Sequence, residues 1–322
     1  MGRESQAAAI DRTSILPLLT AALKEDVGSR DLTSAALIPK GQVAEAEIVV
    51  RQEGILAGLQ VAEWVFGLTD PKIKFKPMVK DGQKVYPDKA VAFLEGPTRG
   101  ILAGERVALN FLGHLSGVAT LTRAFVEKAR GTSAKILDTR KTTPGLRVLE
   151  KYAVRMGWGI NHRMGLYDGV LIKDNHLRLI AKGLSPKGTV PERSAVEHAV
   201  AQVRSTVQKQ TPIEVEVSNL QEFRQALSAR ADLILLDNMK LAEIQEAVRL
   251  RNAVGRGAPA PRHFLGSKEG AASVARYRPL LEVSGGVTLE NVRPIALTGV
   301  DRISVGALTH SAPALNLALE IL

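Results

Sequence analysis

Seven cations crowd one stretch of this chain: Arg140, Lys141, Arg147, Lys151, Arg155, Arg163 and Lys173. Arg140 and Lys141 follow directly on the apolar run AKILD, and His162, Arg163 and Lys173 stand at the ends of similar runs or in adjoining loops. At the ends of parallel strands such side chains converge on one mouth, where like charges repel unless an anion balances them. The cluster therefore predicts small anionic ligands. Arg147, Lys151 and Arg155 recur every fourth residue on a helix expected over 144–156, capped by Thr143 and opened by Pro144. That stripe fits either a solvated face or a ligand-facing one. Arg106 falls in the first turn of a helix expected from Gly104. There the macrodipole disfavours a cation by roughly 0.3 kcal/mol or more, so either an ion pair with Glu105 or a bound anion must offset it.

Carboxylates accompany the cations. Glu216 and Asp237 end two consecutive apolar runs, PIEVEVS and DLILLDN, and Glu214 points the same way as Glu216 one layer deeper. Two carboxylates in a basic mouth suit a hard divalent cation or the stabilisation of developing positive charge. Salt bridges to Lys173 or Arg163 are the simpler alternative. The turns Ser284-Gly285-Gly286 and Val305-Gly306-Ala307 close the last two runs with small residues that expose backbone N–H groups. Turns so placed cradle phosphate. Together the residues point to transfer or cleavage at a sugar phosphate and leave the reaction open.

The elements that must position them follow from periodicity. Runs at 134–141, 169–175, 212–218, 232–238, 280–286 and 301–307 alternate with helix-length segments at 144–156, 192–209, 220–229 and 241–252. A β-run, a helix and another β-run make a parallel sheet with right-handed crossovers, and continuous apolar runs fit burial on both faces. A seventh strand is expected in the connections, giving an open, seven-stranded TIM-like α/β barrel. Upstream, the strand-like run 42–51, a short helix near 62–66 and several glycine turns read as an N-terminal α/β sandwich. Between them Val107, Phe111, Leu115, Val118, Leu121 and Phe125 mark one face of a long helix, with Gly113 and Gly117 allowing close packing. The expected domains are 1–115 and 116–322, with a C-terminal helix packing back on the first. The segment from Arg251 to Arg278, rich in Gly, Ala, Pro and Arg, reads as a surface insertion with a short helix of its own.

Composition bounds the alternatives. The chain has 322 residues, 45% of them hydrophobic, and no cysteine, which excludes disulfides, thiolate metal sites and cysteine nucleophiles. The first residues carry charges of both signs without an apolar core, and no run approaches the roughly 18 apolar residues of a membrane span. A cytoplasmic protein with no membrane partner is the expectation. The formal net charge of +10 invites a nucleic-acid partner, but aromatics are 4% of the chain and no nucleic-acid-binding pattern occurs. No nucleic-acid partner is expected.

One resemblance brings these features together. Asp138-Thr139-Arg140-Lys141-Thr142-Thr143-Pro144-Gly145-Leu146-Arg147, Asn161-His162-Arg163 and Leu171-Ile172-Lys173-Asp174-Asn175-His176 resemble the quinolinate phosphoribosyltransferase family (nicotinate-nucleotide pyrophosphorylase, carboxylating). The likeness continues through 214–217, 235–238, 284–286 and 304–307, and upstream through 25–33, 105–110 and 115–120. The resemblance implies a transfer of phosphoribosyl from phosphoribosyl pyrophosphate to quinolinate with decarboxylation. The products would be nicotinate mononucleotide, pyrophosphate and CO2, on the de novo route to NAD, with Mg2+ and no organic cofactor. It implies a homodimer, or a hexamer built as a trimer of dimers, in which Arg106 crosses the dimer interface to quinolinate. Thr139, Arg140, His162 and Arg163 would bind substrate; Lys141 and Lys173 would touch quinolinate or the phosphoribosyl groups. Glu216 and Asp237 would lie near the ribose and the metal, directly or through water. The turns Ser284-Gly285-Gly286 and Val305-Gly306-Ala307 would hold the 5-phosphate. Lys141, Lys173, Glu216 and Asp237 are the catalytic candidates. Two features depart from the family: Trp158 within Gly157-Trp158-Gly159, and the long 251–278 segment. Trp158 must point away from the ligand or the loop must shift. A Schiff-base lyase using Lys173 as nucleophile and a charge-driven nucleic-acid binder are the competing readings.

Overall fold

The computed structural model describes residues 10–184, 192–208, 210–254 and 277–322. Most of the 251–278 insertion, with its expected helix, lies outside the described residues. The chain forms two compact units. One holds the described residues up to Val126 with Lys141–Asn161 and Gly306–Leu322; the other holds Glu127–Arg140 and His162–Val305.

The first unit is built on an antiparallel sheet. Strands β1 (Val43–Val50), β3 (Lys74–Pro77), β5 (Ala90–Pro97) and β12 (Leu317–Ile321) run in the order β12-β1-β5-β3. A ribbon of β2 (Gly54–Ile55) and β4 (Lys84–Val85) adjoins them in sequence. Alternation along β1 buries Ala46, Ile48 and Val50 and turns the intervening residues the other way, as a period of two requires. The helices of this unit include α1 (Arg12–Val27), α2 (Leu32–Leu37), α3 (Leu59–Thr69) and most of α4 (Thr98–Ala129). The C-terminal residues do return to this unit, but as a strand rather than the expected helix. Ile321 lies opposite Ala46 and Leu317 opposite Val50. The run from Leu315 to Ile321 alternates apolar and small or polar residues, and pairing with β1 satisfies its backbone along one edge.

Helix α4 begins six residues before the expected Gly104, at Thr98. Arg106 therefore stands well inside the helix, and the end-of-helix charge penalty expected for it does not apply. Val107, Leu115, Val118 and Phe125 of the expected face are buried. Gly117 is needed for close approach: a Cβ there would lie 2.1 Å from the carbonyl oxygen of Pro313.

The second unit is a parallel sheet in the order β6-β11-β10-β9-β8-β7. Its strands are β6 (Lys135–Leu137), β7 (Val170–Ile172), β8 (Ile213–Val217), β9 (Leu233–Asp237), β10 (Leu280–Ser284) and β11 (Arg302–Ser304). All six expected runs are strands, and β6 and β7 do not pair, so the α/β barrel is open. The described residues hold six barrel strands rather than seven. Leu233, Ile234, Leu235 and Leu236 of β9 are all buried, as both-face burial demands. Helices α6 (Asp174–Leu184), α7 (Glu192–Thr206), α8 (Leu220–Ser228), α9 (Leu241–Val254) and α10 (Val292–Leu297) connect the strands. Helix α5 (Arg147–Met156) and α11 (Ala307–His310) cluster with the first unit. Among the described residues, no helix is long and apolar enough to cross a membrane.

Candidate active site

The C-terminal ends of the parallel strands carry the expected residues. Asp138, Thr139 and Arg140 follow β6, Lys173 follows β7, and Glu216 stands one residue before the end of β8. Asp237 and Ser284 end β9 and β10 and are register partners. Ile172 pairs with Val215, so the next residues, Lys173 and Glu216, come level. Lys173 Nζ lies 3.2 Å from Glu216 Oε2. The salt bridge weighed from the sequence is thus present, and it leaves the second carboxylate oxygen of Glu216 for another partner. Leu235 of β9 pairs with Glu216, which puts Asp237 on the same face one layer higher.

Asn238 ties Asp237 to the glycine turn. Its Nδ2 donates to Asp237 Oδ2 at 2.9 Å, and its backbone N–H donates to the Ser284 carbonyl at 2.9 Å. Gly285 has φ +88° and Gly286 +59°, conformations that favour glycine. A Cβ on Gly285 would sit 2.2 Å from Asn238 Oδ1.

Behind the strand ends lies a buried trio that the sequence reading only half saw. His162 Nε2 approaches Glu214 Oε2 at 3.2 Å and Glu282 Oε1 at 3.4 Å. Both glutamates are buried, and Ser304 Oγ donates to Glu282. Glu282 carried no functional signal within the apolar run LLEVS. The available clue was an acid in a strand otherwise apolar enough to be buried on both faces. Burial opposes the charged imidazole, but hydrogen bonds and negative charge from the two carboxylates outweigh it and raise His162 to about 9. Burial, then the negative charge of Glu282, raise Glu214. The ligand atoms of the three groups lie within 4.8 Å of one another, the spacing of a cation site.

The His162-Arg163 step is fixed from several sides. Asp138 Oδ1 accepts from the His162 N–H at 2.8 Å, and in the neutral ring His162 Nδ1 accepts from the Arg163 N–H at 2.8 Å. Arg163 Nη1 donates to the Gly169 carbonyl at 2.8 Å. Burial, then the nearby charge of Arg140, lowers the Arg163 pKa. The Arg140 Nε is buried without a hydrogen-bond partner among the described residues. Two guanidiniums that disfavour each other in a half-buried place are the electrostatic mark of a site for anions.

The remaining expected residues lie in the first unit. Lys141 is exposed; its carbonyl accepts from Thr309 Oγ1 at 2.6 Å, and a Cβ on Gly306 would come within 3.2 Å of Lys141 Cδ. The turn Gly306-Ala307 and the TRK segment are therefore neighbours. Arg106 is 62% exposed, with Glu105 at 3.8 Å, so the local ion pair is present and the guanidinium stays accessible. Thr143 does not cap α5, which starts three residues later than expected, at Arg147 without a side-chain cap. Glu150 Oε2 instead accepts the Thr143 N–H at 3.1 Å, and His114 lies 2.9 Å from the other oxygen. The α5 stripe is not a solvated face, because Lys151 is buried. Arg155 Nη1 donates to Asn161 Oδ1 at 2.7 Å, and Asn161 Nδ2 donates to the Lys151 carbonyl at 2.9 Å. The stripe thus fixes the residue before His162. Trp158 takes φ +71° and lies over Arg123, 3.3 Å from guanidinium carbon to ring centre.

Comparison with known proteins decides what this arrangement belongs to. The N-terminal domain of quinolinate phosphoribosyl transferase matches residues 31–116, and its C-terminal domain matches residues 118–320. The chain belongs to the quinolinate phosphoribosyl transferase family. A probable nicotinate-nucleotide pyrophosphorylase (carboxylating) of Bacillus subtilis is 39% identical over 297 residues, covering 92% of this chain and 90% of its own. The nicotinate-nucleotide pyrophosphorylase (carboxylating) of Mycobacterium leprae is 39% identical over 305 residues, with 93% and 94% covered. The solved structure of the Francisella tularensis nicotinate-nucleotide pyrophosphorylase superposes with a TM-score of 0.82 at 34% identity, covering 99% of this chain and all of that one.

Proposed function

We propose that the protein transfers the phosphoribosyl group of phosphoribosyl pyrophosphate to quinolinate and decarboxylates the product. Nicotinate mononucleotide, pyrophosphate and CO2 result, a step of de novo NAD synthesis. The observation that carries this reading is the strand-end set Arg140, Arg163, Lys173, Glu216 and Asp237, in a chain of this family. Quinolinate brings two carboxylates and the donor several phosphate charges, which is the load a basic mouth is suited to bind.

Arg140, Arg163, Lys141 and Thr139 bind quinolinate, and the turns Ser284-Gly285-Gly286 and Val305-Gly306-Ala307 present backbone N–H groups to the 5-phosphate. As the C1–O bond to pyrophosphate breaks, its electron pair leaves with pyrophosphate and the ribose gains oxocarbenium character. Fixed carboxylates at Glu216 and Asp237 stabilise that charge more than the ground state. The quinolinate ring nitrogen supplies the pair that forms the new N–C1 bond. The resulting pyridinium draws electrons as the 2-carboxylate departs as CO2, and the carbanion left at C2 takes a proton from water. Lys173, held by Glu216, stands where it neutralises a departing or arriving anion.

Glu216 and Asp237 offer hard oxygen donors on adjacent strands, one layer apart, with one Glu216 oxygen outside the Lys173 bridge, and they fit a Mg2+ that keeps several waters. Bound there, Mg2+ supplies charge neutralisation on the pyrophosphate. A homodimer, or a trimer of such dimers, in which Arg106 reaches the partner's quinolinate accounts for its accessible guanidinium. A cytoplasmic location completes the reading.

The test is turnover of quinolinate, phosphoribosyl pyrophosphate and Mg2+, followed as nicotinate mononucleotide and CO2. Turnover confined to nicotinate as acceptor refutes the quinolinate assignment. A borohydride-trapped adduct on Lys173 would move the reading to a Schiff-base enzyme.

A further inference from the structure

Among the described residues, the parallel sheet has one seam: β6 and β7 are its edges and share no ladder. The two guanidiniums proposed to meet quinolinate stand beside it, Arg140 just beyond β6 and Arg163 in the loop that leads to β7. We propose that Asp138 is a clasp across this seam, a positioning residue that sets the spacing of Arg140 and Arg163 and so the fit of the dicarboxylate acceptor. Its kinetic consequence depends on the reaction proposed above; its structural consequence does not.

Asp138 is fully buried at the residue after β6. Burying a carboxyl group is costly unless it is hydrogen-bonded, and Oδ1 accepts the backbone N–H of His162 at 2.8 Å, 24 residues away in sequence. A bond to a main-chain N–H fixes the course of the chain, here one residue before Arg163. The clasp makes no claim on the His162 ring.

Each side of the clasp is anchored. Leu137 pairs with Ser304, and its carbonyl accepts the Val305 N–H at 2.9 Å, so the residue before Asp138 belongs to the ladder with β11. On the other side Arg163 Nη1 donates to the carbonyl of Gly169 at 2.8 Å, the residue before β7. The loop between them is drawn in by Asp168, whose Oδ2 accepts the Met164 N–H at 2.7 Å. A path of bonds thus runs from β11 through β6, Asp138, His162 and Arg163 to the start of β7.

The two arginines have reason to part. Burial, then the charge of Arg140, lowers the Arg163 pKa, so the pair is mutually unfavourable until an anion balances it. The buried Arg140 Nε has no hydrogen-bond partner among the described residues. Holding the two roots at a set distance assembles the site before the anion arrives, and planar guanidiniums then meet planar carboxylates with less freedom to lose.

Two substitutions test the clasp. Asp138→Asn keeps the shape and an acceptor oxygen, whereas Asp138→Ala removes both. Hydrogen exchange at the His162 amide should stay within about threefold of wild type in Asp138→Asn and quicken at least about tenfold in Asp138→Ala. The quinolinate KM should rise at least about tenfold in Asp138→Ala and stay within about threefold in Asp138→Asn, with the KM for phosphoribosyl pyrophosphate within about threefold in both. A merely structural loss would move both substrates together. Thermal unfolding checks that the variants fold. The wild-type protein supplies a measurement free of substitution: a crystal structure with quinolinate should keep the His162 N–H on Asp138, with Arg140 and Arg163 both within hydrogen-bond distance of the ligand's carboxylates. An opened Asp138–His162 bond in that complex overturns the proposal. So do equal rises for the two substrates, an unchanged quinolinate KM in folded Asp138→Ala, or Asp138→Asn behaving as Asp138→Ala. If wild-type protein turns over no quinolinate, the proposed function fails, and the exchange measurement still judges the clasp.

Discussion

Replacing Gly285 with alanine puts a single methyl group at the junction of backbone strain, acid orientation and phosphate binding. The backbone there has φ +88°, which costs a residue with a Cβ about 1–2 kcal/mol. The added carbon would lie 2.2 Å from Asn238 Oδ1 and 2.5 Å from its Cγ, well inside any real contact, so Asn238 must swing away. That breaks the 2.9 Å bond from Asn238 Nδ2 to Asp237, a hydrogen bond to a carboxylate contributing about 1.5–3 kcal/mol. The two effects together come to roughly 2.5–5 kcal/mol. Gly286→Ala supplies the control. Gly286 also has positive φ, +59°, but its Cβ would meet nothing nearer than Asn238 Oδ1 at 4.0 Å, leaving the backbone cost of about 1–2 kcal/mol alone. Paired thermal and urea unfolding should therefore show Gly285→Ala losing about two and a half times as much stability as Gly286→Ala. With Asp237 no longer held, kcat/KM for phosphoribosyl pyrophosphate should fall at least about tenfold in Gly285→Ala, equivalent to about 1.4 kcal/mol. Equal stability losses in the two variants, or wild-type kinetics in Gly285→Ala, would refute the link from turn to acid.

The remaining predictions are shorter. His162 is raised to about 9 from an ordinary value near 6.5, so the stabilisation it brings is full below about 6.5 and is lost as pH climbs through about 9. Urea midpoints across that window should fall in the wild type and stay flatter in His162→Asn; a flat wild-type profile contradicts the shift. Lys141→Ala and Arg163→Ala should each lower turnover at least about tenfold, and steady-state kinetics near wild type would remove either residue from the site. Trp158→Gly trades the stacking on Arg123, about 0.5–1 kcal/mol where exposed, for relief of the left-handed strain. Its stability and quinolinate kinetics should stay close to wild type, and a large loss in KM would place Trp158 at the ligand after all.

The barrel half of the fold was legible because buried parallel strands are nearly all apolar. Each of the runs ending in Lys173, Glu216, Asp237 or Ser284 reads as a strand before any contact is known. Residues at strand ends were legible for a related reason: a polar residue that stops an apolar run has to point at the mouth. The C-terminal strand was harder, since Leu317 to Ile321 is short and its partner β1 lies far away in sequence. The start of α5 misled for a local reason. Thr143 and Pro144 carry the chemistry of a helix opening, but the Thr143 N–H goes to Glu150, and the helix waits until Arg147.

What the sequence hid most thoroughly was the layer beneath the mouth. Asp138, Glu214, Glu282 and Asn161 touch the machinery through backbone N–H groups, a ring nitrogen or a neighbouring arginine, and such partnerships have no spacing rule. An acid inside an apolar strand is nevertheless expensive to bury unless it is paired. Glu214 and Glu282 are both buried on strands of one sheet, and they share the imidazole of His162, with the Arg302 guanidinium 3.9 Å from Glu282. A purely structural core would not need this cluster, since apolar residues of similar volume would stabilise it as well or better. Their presence makes sense where holding the His162 ring at the mouth matters more than the stability lost. The net charge of +10 says nothing of this. A cationic mouth gathers anions by charge, but it discriminates between them by geometry.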